Sequence, residues 1–198
     1  MKNLGRETLQ EALSLLGDLM ERRGVPFHHF VVCGGSSLIM LEMVSRTATQ
    51  DVDVVGVMDG DDLKTARPLD PTVIEVAGQV REELDLPKDW FNTGPSDESL
   101  FRLGLPDGLV GRTTRRDFGS KLAISFIGRR DQIFFKVYAA VDQGAGRHLS
   151  DLKDLKPNQE ELLAAAKWTR QHDPSDGFKM MLGELLTHLG NERLIDQL

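Results

Sequence analysis

Cysteine is almost missing from this chain. The 198 residues hold one, Cys33. No disulfide can form within the chain, and the place of Cys33 at the end of an apolar stretch fits a small buried hydrophobe, not a catalytic thiol. Long apolar runs are missing too: none approaches the roughly 18 residues that cross a bilayer. The opening MKNLGRETLQEALSLL spaces its apolar residues as a helix does, whereas a signal peptide groups them in a block. A cytoplasmic location without a membrane partner is therefore expected. Positive charge is not in excess either, and a net charge of −7 excludes a protein that coats nucleic acid nonspecifically. Repeats, low-complexity tracts and long linkers are absent.

What remains is an ordinary globular composition, 40% hydrophobic and 28% charged, long enough for one substantial core. Residues 1–198 read as a single α/β (α+β) domain: about 25–142 form a small mixed β-sheet flanked by helices, and about 150–198 form a helical C-terminal part. The first helix is expected from Arg6 to Arg23 on the stripe Leu9, Ala12, Leu13, Leu16, Leu19 and Met20, with Thr8 and Glu11 either a capping box by their spacing or ordinary first-turn residues. Gly24 and Pro26 end it, and a strand follows from Phe27 to Cys33. The tract MDGDDLKTARPLD reads as a loop. Asp70-Pro71 starts a helix that buries Val73, Ile74, Ala77, Val80 and Leu84. Leu86, Pro87, Trp90 and Phe91 make an apolar turn at the core's edge.

Between Gly94 and Gly119 periodicity fades, leaving a short helix, a loop and an irregular strand. Lys121 to Ile127 is a strand by composition, broken by Gly128 before a helix from Asp131 to Val141. Ile133, Phe134, Val137 and Ala140 give that helix its buried stripe, beside which Lys136 can reach a cleft with its stem in the core. GAGRH reads as a flexible turn, SDLKDL as a short helical piece, and Asn158 with Glu161 as a capping box. The last helical region, from Asp176, carries Met180, Met181, Leu185, Leu186 and Leu189. One basic stretch stands out: Arg112, Arg115, Arg116, Lys121, Arg129 and Arg130, opposed between its ends only by Asp117.

The chemistry concentrates in VVCGGSSLIMLEMVSRTATQDVDVVGV, residues 31–57. It reads as strand, glycine-serine turn, short helix, polar loop and second strand. Alternate side chains of a strand share a face, so Asp51 and Asp53 point the same way. Such a pair repels itself unless a proton or cation lies between the charges, and hard oxygen donors suit Mg²⁺ or Mn²⁺. Upstream, Gly34 and Gly35 permit close backbone approach, Ser36 adds a hydroxyl, and the following helix offers unpaired N–H groups, a combination that suits phosphate. An EF-hand does not fit Asp51, Asp53 and Gly56, because Val55 cannot ligate and Asp62 replaces the expected glutamate. GGSSLI also lacks the third glycine of a dinucleotide-binding turn.

GGSS followed by RTATQDVDVV resembles the signature of the nucleotidyltransferase superfamily with a polymerase-beta-like fold, closest to minimal bacterial nucleotidyltransferases around the AbiEii toxin group. FFKVYAAVDQGAGRHLSDLKDL resembles the lysine-bearing helix and Arg-x-x-x-Asp-Leu element of that group, and the two blocks cover about a quarter of the chain. The resemblance implies transfer of a nucleoside monophosphate from an NTP to a hydroxyl acceptor. Asp51 and Asp53 would hold Mg²⁺ or Mn²⁺, Gly34, Gly35 and Ser36 the triphosphate, and Lys136 a β- or γ-phosphate. Arg46 and Thr49 would contact phosphate or fix their loop, and Arg147 and His148 would touch a base or an acceptor. It further implies a toxin-like role with RNA, especially a tRNA end, as acceptor, protein side chains or a small molecule being the other acceptors, and an antitoxin as partner.

Many members of the superfamily carry a third catalytic carboxylate on a later strand, and LAISFI offers none. Asp151 is the substitute by resemblance, Asp142 the second choice. The missing carboxylate motivates the alternative reading, a catalytically inactive nucleotide-binding regulatory or antitoxin-like module.

Overall fold

The chain opens with a two-residue strand β1 (Leu4–Gly5) that leads straight into helix α1 (Arg6–Arg22). Leu9, Leu13, Leu16 and Met20 of α1 are fully buried, each contributing about 2 kcal/mol of burial. That burial is what holds the helix, since its N-cap is Gly5 with no side-chain cap bond. Of the two readings of Thr8 and Glu11, the ordinary helical one holds: the helix begins at Arg6, so Thr8 lies in the first turn and is not at the cap.

The computed structural model describes residues 2–198. Strand β2 (His28–Cys33) leads into the short helix α2 (Gly34–Met40). A two-residue strand β3 (Ala48–Thr49) pairs with β1, and β4 (Val52–Asp59) follows. β4 runs two residues into the tract read as a loop and turns back through Gly60 and Asp61 into β5 (Asp62–Lys64). This hairpin corrects the loop expectation, and its signal was a glycine-containing two-residue turn between paired aspartates, Asp59 and Asp62. Helix α3 (Pro71–Leu84) starts as expected, with the Asp70 carboxylate accepting from the Thr72 N–H at 2.7 Å. Its buried face includes Val76, while Ile74 points to solvent, 55% exposed.

Strand β6 (Phe91–Asn92) and helix α4 (Glu98–Leu103) precede the edge strand β7 (Thr114–Asp117) and the central strand β8 (Leu122–Phe126). The main sheet has the order β5-β4-β2-β8-β7, with β6 pairing parallel to β4. β2 is antiparallel to β4 and parallel to β8, so the sheet is mixed. One face packs Phe30, Val32, Val54 and Ile124 against α1 and α3, and the other buries Val31, Cys33, Val55 and Ile127. Both faces being covered, successive β4 residues Val54 and Val55 are both buried.

The rest is helical: α5 (Arg129–Asp142), α6 (Gly146–Leu155), α7 (Gln159–His172) and α8 (Asp176–His188). α6 takes in most of the GAGRH segment that had read as a turn, because Arg147 and His148 continue the helical spacing that buries His148, Asp151, Leu152 and Leu155 on one side. The Asn158–Glu161 capping box forms in full. These helices build a second apolar cluster around α5, into which Leu38 of α2 also packs. Of the apolar residues carried by α8, Met180 and Met181 are exposed, and Phe178, Leu182, Leu185 and Leu186 form the buried face.

Candidate active site

Where β2 ends, the chain turns at Gly34 with φ +68°, and a Cβ there would lie 2.3 Å from Asp53 Oδ2. Glycine is therefore needed twice over, for the left-handed backbone and for the carboxylate lying against it. Cys33 and Asp53 are register partners across β2 and β4. Asn92, beside Asp53 on β6, donates from Nδ2 to Asp53 Oδ1 at 3.2 Å. The Asn92 carbonyl accepts from the Gly94 N–H at 2.8 Å, which fixes the amide with its NH₂ toward the aspartate. Asp51, one residue before β4, accepts from Thr49 Oγ1 at 3.1 Å. Burial, and then the Asp51 charge, push Asp53 up to about 6, against weaker pulls from Asn92, Lys136 and Arg147. The two carboxylates thus repel each other at the sheet's end.

Asp53 and Gly34 open onto a cleft of about 400 Å³ whose opposite wall is α5. Lys136 of α5 lines it, buried, with Nζ 2.8 Å from Asp151 Oδ2. Gln132, one turn earlier, donates to the Gly34 carbonyl at 3.4 Å and ties α5 to the turn. Asp151 is also buried and takes Arg46 as a second cation: Arg46 Nη2 donates to Oδ2 at 3.2 Å, and Nε lies 2.9 Å from Oδ1 in a contact without hydrogen-bond alignment. Both oxygens of Asp151 are thus engaged by cations. Among the described residues no three His, Cys, Asp or Glu side chains are grouped to hold a metal ion. Asp151 therefore does not complete a carboxylate trio with Asp51 and Asp53; it positions Lys136 and Arg46.

The other expected residues divide. Gly34, Asp53 and Lys136 line the cleft, as do Arg147 and His148, and Asp142 lines it from the C-terminal end of α5. Gly35 faces away: a Cβ there would meet Thr49 Oγ1 at 2.2 Å and Arg46 Nη2 at 2.9 Å, so this glycine lets the loop before β4 pack on the helix. Ser36 is fully buried and donates to the Cys33 carbonyl at 3.1 Å, which takes its hydroxyl out of reach of a ligand. Of Gly34, Gly35 and Ser36, Gly34 alone lines the cleft.

His148 is buried, and its Nδ1 has no hydrogen-bond partner. Burial, then Lys136 and Arg147, hold its ring down to about 4, so the imidazole is neutral near pH 7. The basic stretch does not form a free surface. Arg112 is clamped on the buried Asp131 at 2.6 and 3.0 Å, Arg115 on Asp117 at 2.7 Å, and Arg129 on Glu161 at 2.6 Å. Arg116 donates to the Met40 carbonyl at 3.2 Å. Three partners of these arginines had not been foreseen, because Asp131, Glu161 and the Met40 carbonyl come from elsewhere in the fold.

The site's aromatic wall was also unforeseen. Phe135, Tyr138, Trp168 and His172 line the far half of the cleft. Trp168 and His172 have ring centroids 4.4 Å apart, and the Gly104 carbonyl lies within hydrogen-bond distance of both, at 3.0 Å from Trp168 Nε1 and 3.1 Å from His172 Nε2. Its sequence signal, two rings on α5 and two on α7, was hidden by the buried stripe of Phe134 and Val137 beside the first pair.

Comparisons with family models, curated proteins and solved structures find no match. The functional reading therefore stands on the cleft itself. No helix among the described residues is long and apolar enough to cross a membrane.

Proposed function

We propose that the cleft binds a nucleoside triphosphate and transfers its nucleoside monophosphate to a hydroxyl acceptor. One observation carries this reading: Asp53, raised to about 6 by burial and by Asp51, faces the same cleft as the buried Lys136. A carboxylate pair that needs a cation, beside two cations, Lys136 and Arg46, that share the single carboxylate of Asp151, is what a metal-bound phosphate chain satisfies together.

The donor set fits a divalent ion. Asp53 is a hard oxygen ligand lining the cleft and Asp51, two residues before it, a second one just outside that lining, and Mg²⁺ is commonly held by one or two carboxylates with substrate phosphates and water filling its other positions. Once bound by these two residues, Mg²⁺ or Mn²⁺ supplies charge neutralisation along the phosphates. The chain's own groups do the rest. Lys136, held by Asp151, places a positive charge where the leaving pyrophosphate gathers negative charge. Asn92 orients Asp53. The acceptor oxygen forms the new bond to the α-phosphorus, the α–β phosphoanhydride bond breaks with its electron pair leaving on pyrophosphate, and the hydroxyl proton passes to Asp53 or to water.

The resemblance to the AbiEii group makes RNA, a tRNA end above all, the acceptor to try first, with protein side chains and small molecules beside it, and makes an antitoxin the partner to seek. The test is pyrophosphate release from NTP with Mg²⁺ and total RNA, expected for the intact chain and lost in Asp53→Asn.

A second reading is favoured by Asp151, whose two oxygens are engaged by Lys136 and Arg46, leaving only two carboxylates for a metal. On this reading the chain binds nucleotide as a regulatory or antitoxin-like module and does not turn it over. Saturable nucleotide binding with no pyrophosphate released, for any acceptor offered, would establish it.

A further inference from the structure

Helix α5 forms a graded wall. Phe135 and Lys136 lie at its inner part, Tyr138 and Ala139 follow, and Asp142 and Gln143 stand at the mouth, all lining one cleft. From Lys136 to Asp142 the helix rises about 9 Å, the order of the reach from a nucleotide's phosphates to its base. Across the mouth stands Asp97, the N-cap of α4. Its Oδ1 is taken by the N–H and hydroxyl of Ser99, and the Leu100 N–H also acts on its carboxylate. Asp142 has no hydrogen-bond partner among the described residues, and neither does the Tyr138 hydroxyl. Both carboxylates act on Tyr138, whose phenol is held above its ordinary value by burial and then by Asp142, Asp173 and Asp97.

The half-exposed rings of Phe135 and Tyr138 are backed by Trp168, which is itself pinned to the Gly104 carbonyl. An aromatic face braced in this way is suited to stacking a planar ring. Two carboxylates rim it, Asp142 on α5 and Asp97 at α4, with Gln143 and Arg147 lining the same cleft.

We propose that the aromatic half of the cleft seats the nucleobase, with Asp142 and Asp97 accepting from its exocyclic amino group, so that the protein selects adenine, cytosine or guanine nucleotides and rejects uridine nucleotides. Adenine and cytosine each present an amino group, and guanine presents an amino group beside a ring N–H. Uracil has a single ring N–H flanked by two carbonyl oxygens, which meet the carboxylates as like partial charges. A carboxylate reading an amino edge commonly discriminates bases by tenfold or more. The inference rests on the nucleotide reading of the site and adds its specificity.

The test is equilibrium binding of ATP, CTP, GTP and UTP with Mg²⁺, beside inorganic triphosphate, to the intact chain and to Asp142→Asn. Asp142 is exposed, so the variant is expected to fold, and unchanged triphosphate affinity confirms that its phosphate end is intact. Expected are three nucleotides binding at least tenfold tighter than UTP, and a gap below about threefold in Asp142→Asn, because an amide can donate to a carbonyl as well as accept. Four equal affinities, or a UTP gap that Asp142→Asn leaves unchanged, would overturn the specificity while leaving the nucleotide site standing. Binding of none of the four would overturn both.

Discussion

Lys136 and Asp151 meet at 2.8 Å, both buried, and Asp151 holds Arg46 as well. The two members of the pair are not equivalent. Removing Asp151 strands two cations, one of them deep, whereas removing Lys136 leaves Asp151 still neutralised by Arg46. Asp151→Ala is expected to cost about 3 kcal/mol, and Lys136→Met less than about 2 kcal/mol. Urea unfolding of both variants checks the order, and equal losses would show that Arg46 does not share the carboxylate.

Asp53 carries opposite signs for stability and function. Its folded value, about 6, lies above the ordinary 3.8. The folded state therefore holds this proton more tightly, and its contribution is complete below about pH 4 and lost as pH rises through about 6. Ionised at pH 7.5, Asp53 opposes folding by up to about 3 kcal/mol. Asp53→Asn should stabilise the metal-free chain at pH 7.5, with the gain vanishing near pH 4, yet abolish the rise in melting temperature given by Mg²⁺ with NTP. Thermal melts across pH would reveal an error in either sign.

His148 works in the reverse direction. Its value falls from 6.5 to about 4 on folding, so stability is present above about pH 6.5 and lost as pH falls toward 4. Between about pH 4 and 6 the slopes of His148 and Asp53 oppose each other. In His148→Gln one of the slopes opposing Asp53 is removed, while His29 and His172, also held below 6.5 by burial, remain, so acidification from pH 6 to 4 should destabilise the chain less than it does the intact protein. An unchanged loss of stability in acid would place the responsible group elsewhere.

Two glycines test the backbone argument. Gly34→Ala forces a side chain onto Asp53 at φ +68° and is expected to cost about 2 kcal/mol or more. Gly78→Ala, inside α3 with nothing within 4 Å of the new methyl, should gain up to about 1 kcal/mol. Differential scanning calorimetry of the two variants separates strain from helix propensity.

Local signals carried well from sequence to structure. The strand, glycine turn and acidic strand of residues 31–57, the Asp70-Pro71 start and the Asn158–Glu161 box depend on neighbours only, and all three are present. Side-chain partnerships across the fold did not carry. Ser36 looked available until the Cys33 carbonyl took its hydroxyl, and the arginines from Arg112 to Arg129 looked like one surface until Asp131 and Glu161 reached them. Asn92 is the clearest omission: a polar residue after an apolar turn gives no sign of facing Asp53, because the pairing of β6 with β4 lies 39 positions away.

The most direct measurement incubates the protein with Mg²⁺ and each α-labelled NTP, offering total RNA, a protein extract and a small-molecule extract, beside the Asp51→Asn/Asp53→Asn variant. The nucleotidyl-transfer account predicts covalent label in one acceptor class with the intact aspartates and none with the variant. Nucleotide binding without any transferred label, or label that persists in the variant, would contradict it.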